Sequence, residues 1–302
     1  MPVTPVLDPT TRDALRRLVW RLRDRRAISS VTGSEQSIFR GRGMEFDQVV
    51  RYAFGDDIRD VDWNVTARLG DLYRKRFIEE REVVVFVVFN DDPALQFGSG
   101  SKSKREVMNE LVCFALLLAA MKRERVGMLH RTGEADYMMS PTRNRARLLR
   151  EIVRLLQARP PDPRMPADSC RSPRPIAGVP RGSLVIWFGE IPESSPTAEW
   201  RAWSRDYDVL GVRVEDRLER EPPDSTMQLS LDPVTDRLRE IHGGSVVVER
   251  HAAWKIQREK LWRQWWPDAH RRFVMDVDRD PLDQFIKMLK SGEFRAARSR
   301  PG

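Results

Sequence analysis

Val83-Val84-Val85-Phe86-Val87-Val88-Phe89 limits the fold of this chain more than any other stretch, because every one of its positions is aliphatic or aromatic. A strand with one wet face alternates apolar and polar residues. A run without alternation is buried on both faces, as at the centre of a parallel sheet. The segment from Arg105 to Met121 follows as a helix apolar on nearly every side, with Val107, Met108, Leu111, Val112, Phe114, Leu116, Leu117 and Leu118. Strand, loop and buried helix form the first unit of a doubly wound α/β domain. Strands at Val126 to His130, Tyr137 to Met139, Leu184 to Phe188 and Val209 to Val214, with helices at Thr142 to Gln157 and Thr197 to Ser204, continue it.

Upstream lies the most distinctive stretch, Arg51-Tyr52-Ala53-Phe54-Gly55-Asp56-Asp57-Ile58-Arg59-Asp60-Val61-Asp62-Trp63-Asn64, with Arg68 just beyond. Its charges alternate with Tyr52, Phe54, Ile58, Val61 and Trp63, side chains that seek burial. A partly buried Arg–Asp network is expected, with Arg51 and Arg59 each gripping a carboxylate through two hydrogen bonds. Gly55 permits the turn before Asp56. Asp60, Asp62 and Asn64 stand at the first, third and fifth positions of a calcium loop, but Val65 occupies the obligatory glycine position, and Asp71 stands where a bidentate glutamate is needed.

Together with Gly41-Arg42-Gly43-Met44-Glu45-Phe46, this stretch resembles the signature of the domain of unknown function 58 family. The resemblance implies a von Willebrand factor A-like fold, a doubly wound, mostly parallel sheet. It also implies work beside a MoxR-type AAA+ ATPase. Metal-binding von Willebrand A domains carry Asp-x-Ser-x-Ser after their first strand, plus a threonine and an aspartate from later loops. Here Asn90 falls at the aspartate, Asp92 and Ala94 at the two serines, and Glu190 at the later aspartate. The family's threonine-bearing loop and helix are expected to be lost here, replaced by the proline-rich stretch 160–181. The site is therefore expected to be degenerate, with no metal and no other cofactor.

The expected organisation is a basic helix and signature region at 1–80, the von Willebrand A-like domain at 81–225, and a C-terminal extension at 226–302. In that extension a hairpin (Met227 to Leu231, Leu238 to Ile241), a strand at Val246 to Val248, a helix at Ala252 to Trp266, a strand at Arg272 to Val277 and a helix at Leu282 to Leu289 are expected. The N-terminal helix, Thr11 to Ala27, sets Leu15, Leu18, Val19 and Leu22 against seven arginines. It reads as a helix packed on its own domain by its leucine face. Trp254, Trp262, Trp265 and Trp266 share helical spacing and read as core.

A net charge of +8 arises from 53 basic and 45 acidic residues, so an acidic protein would suit the surface as well as nucleic acid or lipid. No apolar run nears the ~18 residues of a membrane span, and the Met1-Pro2-Val3-Thr4-Pro5 start has no signal-peptide core, so a cytoplasmic protein is expected. Cys113 and Cys170 make no disulfide or metal framework and are expected as reduced thiols. The Gly98-to-Ser103 loop lacks phosphate-loop spacing and reads as a flexible loop ending in a helix cap. Neither the histidines nor the serines fall in a catalytic pattern.

These readings converge on a non-enzymatic binding module, and the family resemblance implies that it is an adaptor or co-chaperone for a MoxR-type ATPase and its client. Asp91, Asp92 and Glu190, at the strand ends, would form an acidic crevice with no cation to neutralise it, suited to a basic segment of a partner. Two other readings follow from the same residues. One is nucleic-acid binding through the N-terminal helix and the tail Lys287 to Arg300. The other is metal-dependent hydrolysis at Asp91, Asp92 and Glu190.

Overall fold

The computed structural model describes residues 9–23, 44–79, 84–122, 124–164, 178–221, 228–232, 237–241 and 245–290. It opens with helix α1 (Pro9–Arg23). The chain divides into two compact units, one of Phe39–Val83 and one of the remainder, α1 included.

In the smaller unit, β1 (Met44–Arg51) pairs antiparallel with β2 (Tyr73–Glu79), with a bulge between Phe46 and Gln48. Between them lie a single 3-10 turn, Ile58–Asp60, and helix α2 (Trp63–Leu69). β2 thus pairs within the signature unit and is not a strand of the six-stranded sheet. Its partner β1 had no clear signal, because charges and apolar residues mix irregularly along it.

The larger unit is built on a six-stranded sheet. Its elements in chain order are β3 (Val84–Asn90), α3 (Lys104–Met121), β4 (Arg125–Arg131), β5 (Asp136–Thr142), α4 (Arg145–Gln157), β6 (Leu184–Phe188), α5 (Ala198–Asp206), β7 (Asp208–Glu215) and α6 (Arg217–Arg220). A hairpin of β8 (Gln228–Asp232) and β9 (Arg237–Ile241) follows, then α7 (Ser245–Trp265), β10 (Arg272–Asp276) and α8 (Pro281–Lys290). The sheet order is β10-β7-β6-β3-β4-β5, parallel throughout except for the antiparallel edge strand β5. Read from β5, it is the third, second, first, fourth, fifth and sixth strand, the doubly wound order. The fold is the α/β, von Willebrand A-like one expected.

β3 is buried at every residue, which is why its sequence has no polar face. One sheet face carries a core of Val84, Phe86, Val88, Val185, Trp187, Trp200, Trp203, Trp262, Trp265 and Trp266. Three of the four tryptophans on the 252–266 stretch are therefore core, while Trp254 is half-exposed. Leu18 is buried, and α1 packs on α3 and α4.

Two expectations for the C-terminal stretch change. Val246 to Val248 is not a strand but the first turn of α7, because three β-branched residues fall in register with the helix that follows and have no strand partner. β10 is not part of an appended extension; it pairs with β7 and completes the main sheet. Residues 24–27 of the N-terminal helix, most of the proline-rich stretch, Cys170 and the tail beyond Lys290 lie outside the described residues.

Candidate functional site

In an open α/β sheet, ligands bind beyond the carboxyl ends of the strands where the strand order reverses. Here that point lies between β3 and β6, and it gathers Asn90, Asp91 and Asp92 from one side and Gly189 and Glu190 from the other. Gly189 is required there: a Cβ would lie 2.9 Å from the Asn90 Cβ and 3.0 Å from the Trp187 ring.

The crevice holds its own cations. Lys104, 1 % exposed, stands in the first turn of α3 and points its ammonium at Glu190 Oε2 and, at 2.8 Å, at Glu219 Oε1. Arg258 of α7 binds Glu190 Oε1 and lies 3.4 Å from Glu219. Beside this cluster, Arg105 grips Asp91 with two parallel hydrogen bonds of 2.8 and 2.7 Å. Cations in the first turn of a helix oppose its dipole. Their presence at the start of α3 is explained by the buried carboxylates they meet.

Asp91 also meets His130 Nε2 at 3.0 Å, and His130 Nδ1 lies 3.2 Å from Arg154 Nη1. Arginine only donates, so Nδ1 accepts and the ring proton sits on Nε2, toward Asp91. Burial pushes the Asp91 carboxyl up, but hydrogen bonds from His130 and Arg105 outweigh it and hold it below the usual carboxylate range. Glu190 behaves alike, with burial outweighed by the charges of Lys104 and Arg258. Asp92 is the exception: burial raises it, with Glu190 adding to the effect against the opposing Ala94 N–H, 2.8 Å away.

The acidic, cation-free crevice expected of Asp91, Asp92 and Glu190 is therefore absent. All three are buried, and Asp91 and Glu190 are ion-paired internally. The same pairing removes Asp91 and Glu190 as free bases for hydrolysis. Ala94 is exposed and supplies no ligand atom, and among the described residues no group of three His, Cys, Asp or Glu side chains is placed to hold a metal ion. Sequence reasoning missed Lys104, Arg105, His130, Glu219 and Arg258. The available signal, two adjacent cations opening a helix apolar on nearly every side, bore on Lys104 and Arg105 alone.

The loop before α3 is held, not loose. Ser99 donates to Asp216 through its N–H (2.9 Å) and its hydroxyl (2.5 Å). Ser103 then caps α3 in a reciprocal box with Glu106.

The signature folds differently from the buried network expected. The Arg59 guanidinium does fork onto Asp57, with its shortest bond at 2.6 Å, and Arg51 binds Asp71 at 2.5 Å, but both pairs are exposed. That hydrogen bonding to Arg59 pulls the Asp57 carboxyl down to about 2. Asp57 caps the 3-10 turn, and Asp62 caps α2 by accepting from Asn64 and Val65 N–H at 3.0 and 3.2 Å. Asp56 closes the turn at Gly55: it accepts from Ala53 N–H at 2.9 Å and pairs with Arg74 at 2.6 Å, while the Tyr52 hydroxyl donates to its carbonyl. Asp60 is half-buried and Arg68 exposed. The aromatics do not go inside. Phe54 is fully exposed and Trp63 is 63 % exposed, and Ile58, Leu69 and Leu72 also face solvent. The reason is size: a two-stranded sheet and one short helix offer too little interior for them.

The family described as "protein of unknown function DUF58" matches residues 48–260. The chain belongs to the DUF58 family. The DUF58 match runs from the signature unit through five of the six sheet strands and into α7, so it includes every residue of the crevice cluster. Uncharacterized proteins of Mycobacterium bovis and Mycobacterium tuberculosis are 27 % identical over 227 residues, covering 72 % of this chain and 69 % of theirs. Among solved structures, the conserved hypothetical protein BatB of Bacteroides thetaiotaomicron is similar at a TM-score of 0.36 and 13 % identity, over 71 % of this chain and 99 % of that one. The SpRpn10 VWA domain is similar at 0.32 and 8 %, over 68 % and 93 %. Among the described residues of this DUF58 protein, no helix is long and apolar enough to cross a membrane.

Proposed function

We propose that this DUF58 protein is a non-enzymatic protein-interaction module, an adaptor that presents a client to a MoxR-type AAA+ ATPase. One observation carries the reading. The signature unit uses Asp56, Asp57 and Asp62 to cap and brace its own backbone, and turns Phe54, Ile58, Trp63, Leu69 and Leu72 outward. Large apolar side chains held exposed on a braced frame mark a surface that another protein covers, and aromatic residues dominate the energetics of such contacts. The ATPase partner is drawn from the family resemblance. Recognition in this reading runs through the exposed apolar side chains of the signature unit and needs no metal ion.

The test is binding of the purified protein to the MoxR-type ATPase of its own genome, with and without chelator. Wild type is expected to bind equally well in both conditions. Phe54→Ser with Trp63→Ser is expected to weaken binding at least about tenfold, with an unchanged melting temperature. Loss of wild-type binding in chelator, or full binding by the double variant, overturns the reading.

A further inference from the structure

His130 lies near the end of β4, 1 % exposed, where the register of the sheet sets its neighbours. It pairs with Phe89 across to β3 and with Tyr137 across to β5. The Phe89 ring stacks on the imidazole at 5.0 Å between centroids, and the Tyr137 ring tilts toward it at 6.0 Å. Among the described residues, the charged and titratable groups that face the imidazole are Asp91 with Arg105 at Nε2, Arg154 with Glu151 at Nδ1, and Tyr137 against the ring.

Each ring nitrogen is committed. Nε2 donates to Asp91 at 3.0 Å, and Arg105 forks the same carboxylate. Nδ1 accepts from Arg154 Nη1 at 3.2 Å, while Arg154 gives its Nε, at 2.8 Å, and its Nη2 to Glu151, one turn earlier on α4. The Arg154 guanidinium also lies over the Tyr137 ring, 4.6 Å from its centroid. This arrangement holds only while the imidazole is neutral. A proton taken from solvent at Nδ1 turns the acceptor into a donor, and two positively charged N–H groups would then meet in a buried site that screens charge poorly. Asp91 gives the imidazolium a counter-charge at Nε2, so the contact that breaks is the one to Arg154. The guanidinium has room to leave, because with His130, Tyr137, Arg159 and Pro161 it lines a cavity of about 510 Å³.

We infer that His130 and Arg154 form a proton-operated latch on that cavity. With the imidazole neutral, Arg154 docks on Nδ1 and covers Tyr137. With the imidazole protonated, Arg154 swings off while keeping Glu151, and it uncovers the Tyr137 ring and the His130 end of the cavity. Histidine is the side chain suited to such a role, since its change of charge falls in the physiological pH range. The inference is independent of the signature surface and of any ATPase.

The test is NMR of the full chain carrying ¹⁵N-labelled histidine and arginine, titrated from about pH 8 to about pH 5. At the upper end His130 is expected as the Nε2–H tautomer. On acidification it should become imidazolium, and the Arg154 side-chain signal should shift over the same pH range. Hydroxyl-radical footprinting of the same samples should show Tyr137 oxidised faster at the acid end. His130→Gln keeps an amide donor for Asp91 and a carbonyl acceptor for Arg154 but takes no proton in this range. In that variant the Arg154 signal should stay in place, which separates the latch from protonation of Glu151. The wild-type titration needs no variant, so it decides even where His130→Gln fails to fold. An imidazolium beside an unmoved Arg154, a His130 still neutral at the acid end, or an Arg154 shift that survives in folded His130→Gln each overturns the inference.

Discussion

The Lys104 ammonium lies 2.8 Å from Glu219 Oε1, with Lys104 almost wholly buried and its second carboxylate, Glu190, on the other side. Removing Lys104 leaves Arg258 alone against two buried carboxylates, one negative charge in excess. Lys104→Met is therefore expected to destabilise the larger unit by about 3–5 kcal/mol, read as a lowered urea midpoint at unchanged slope. Adding Glu190→Gln to Lys104→Met should recover part of that loss, because one buried charge fewer is left unpaired.

Acid should act through Asp91 and Glu190, whose carboxyls are held below their ordinary range in the folded state. For a depressed acid, the stabilisation is complete above the unfolded-state value of about 4 and is lost as pH falls through the folded-state value. Stability should thus fall steeply below about pH 4, and Asp91→Asn should lower the melting temperature at pH 7 while flattening that fall. Asp92 is raised, so its charge opposes folding at neutral pH. Asp92→Asn, which keeps an acceptor for the Ala94 N–H, should leave stability at pH 7 unchanged or higher. Thermal melts between pH 3 and 8 separate the two variants.

Asp62 caps α2 and does not sit in a deep ion pair, its nearest cation being Lys75 at 3.7 Å. Asp62→Ala should accordingly cost about 1 kcal/mol, the value of a lost N-cap. Hydrogen exchange should accelerate at the amides of Asn64 and Val65, with little change in the main sheet.

Gly211 on β7 faces two rings: an added Cβ would lie 2.5 Å from Trp266 and 2.7 Å from Trp262. Both rings belong to the buried core and cannot swing away. Gly211→Ala is expected to cost about 1–3 kcal/mol through overpacking, visible as a lowered melting temperature and altered tryptophan fluorescence.

Cys113 is fully buried in α3, and burial pushes its thiol up to about 12. The thiolate is the reactive form, so Cys113 should resist iodoacetamide at pH 8 in the folded protein. Site-resolved mass spectrometry should find it alkylated only after denaturant is added.

What the sequence determined by itself was local and periodic. The unbroken apolar run of β3 fixed a strand buried on both faces, and the all-round apolar α3 fixed its covering helix. Those two choices left a doubly wound α/β domain as the consistent arrangement. The positions of Asp91, Asp92 and Glu190 at the carboxyl edge followed from the same strands. The tertiary structure alone decided which charges meet. Glu190 and Glu219 are 29 residues apart, Lys104 precedes Glu219 by 115, and Arg258 lies on a helix beyond a separate hairpin. Alternation of residue types along a chain records which face is wet, but carries no term for a partner a hundred residues away. For that reason an expected acidic crevice is a neutralised, buried cluster, and β10 belongs to the main sheet. The signature shows the converse: its aromatic residues favour burial wherever burial is offered, and only the three-dimensional unit, two strands and one short helix, reveals that none is offered to Phe54 and Trp63.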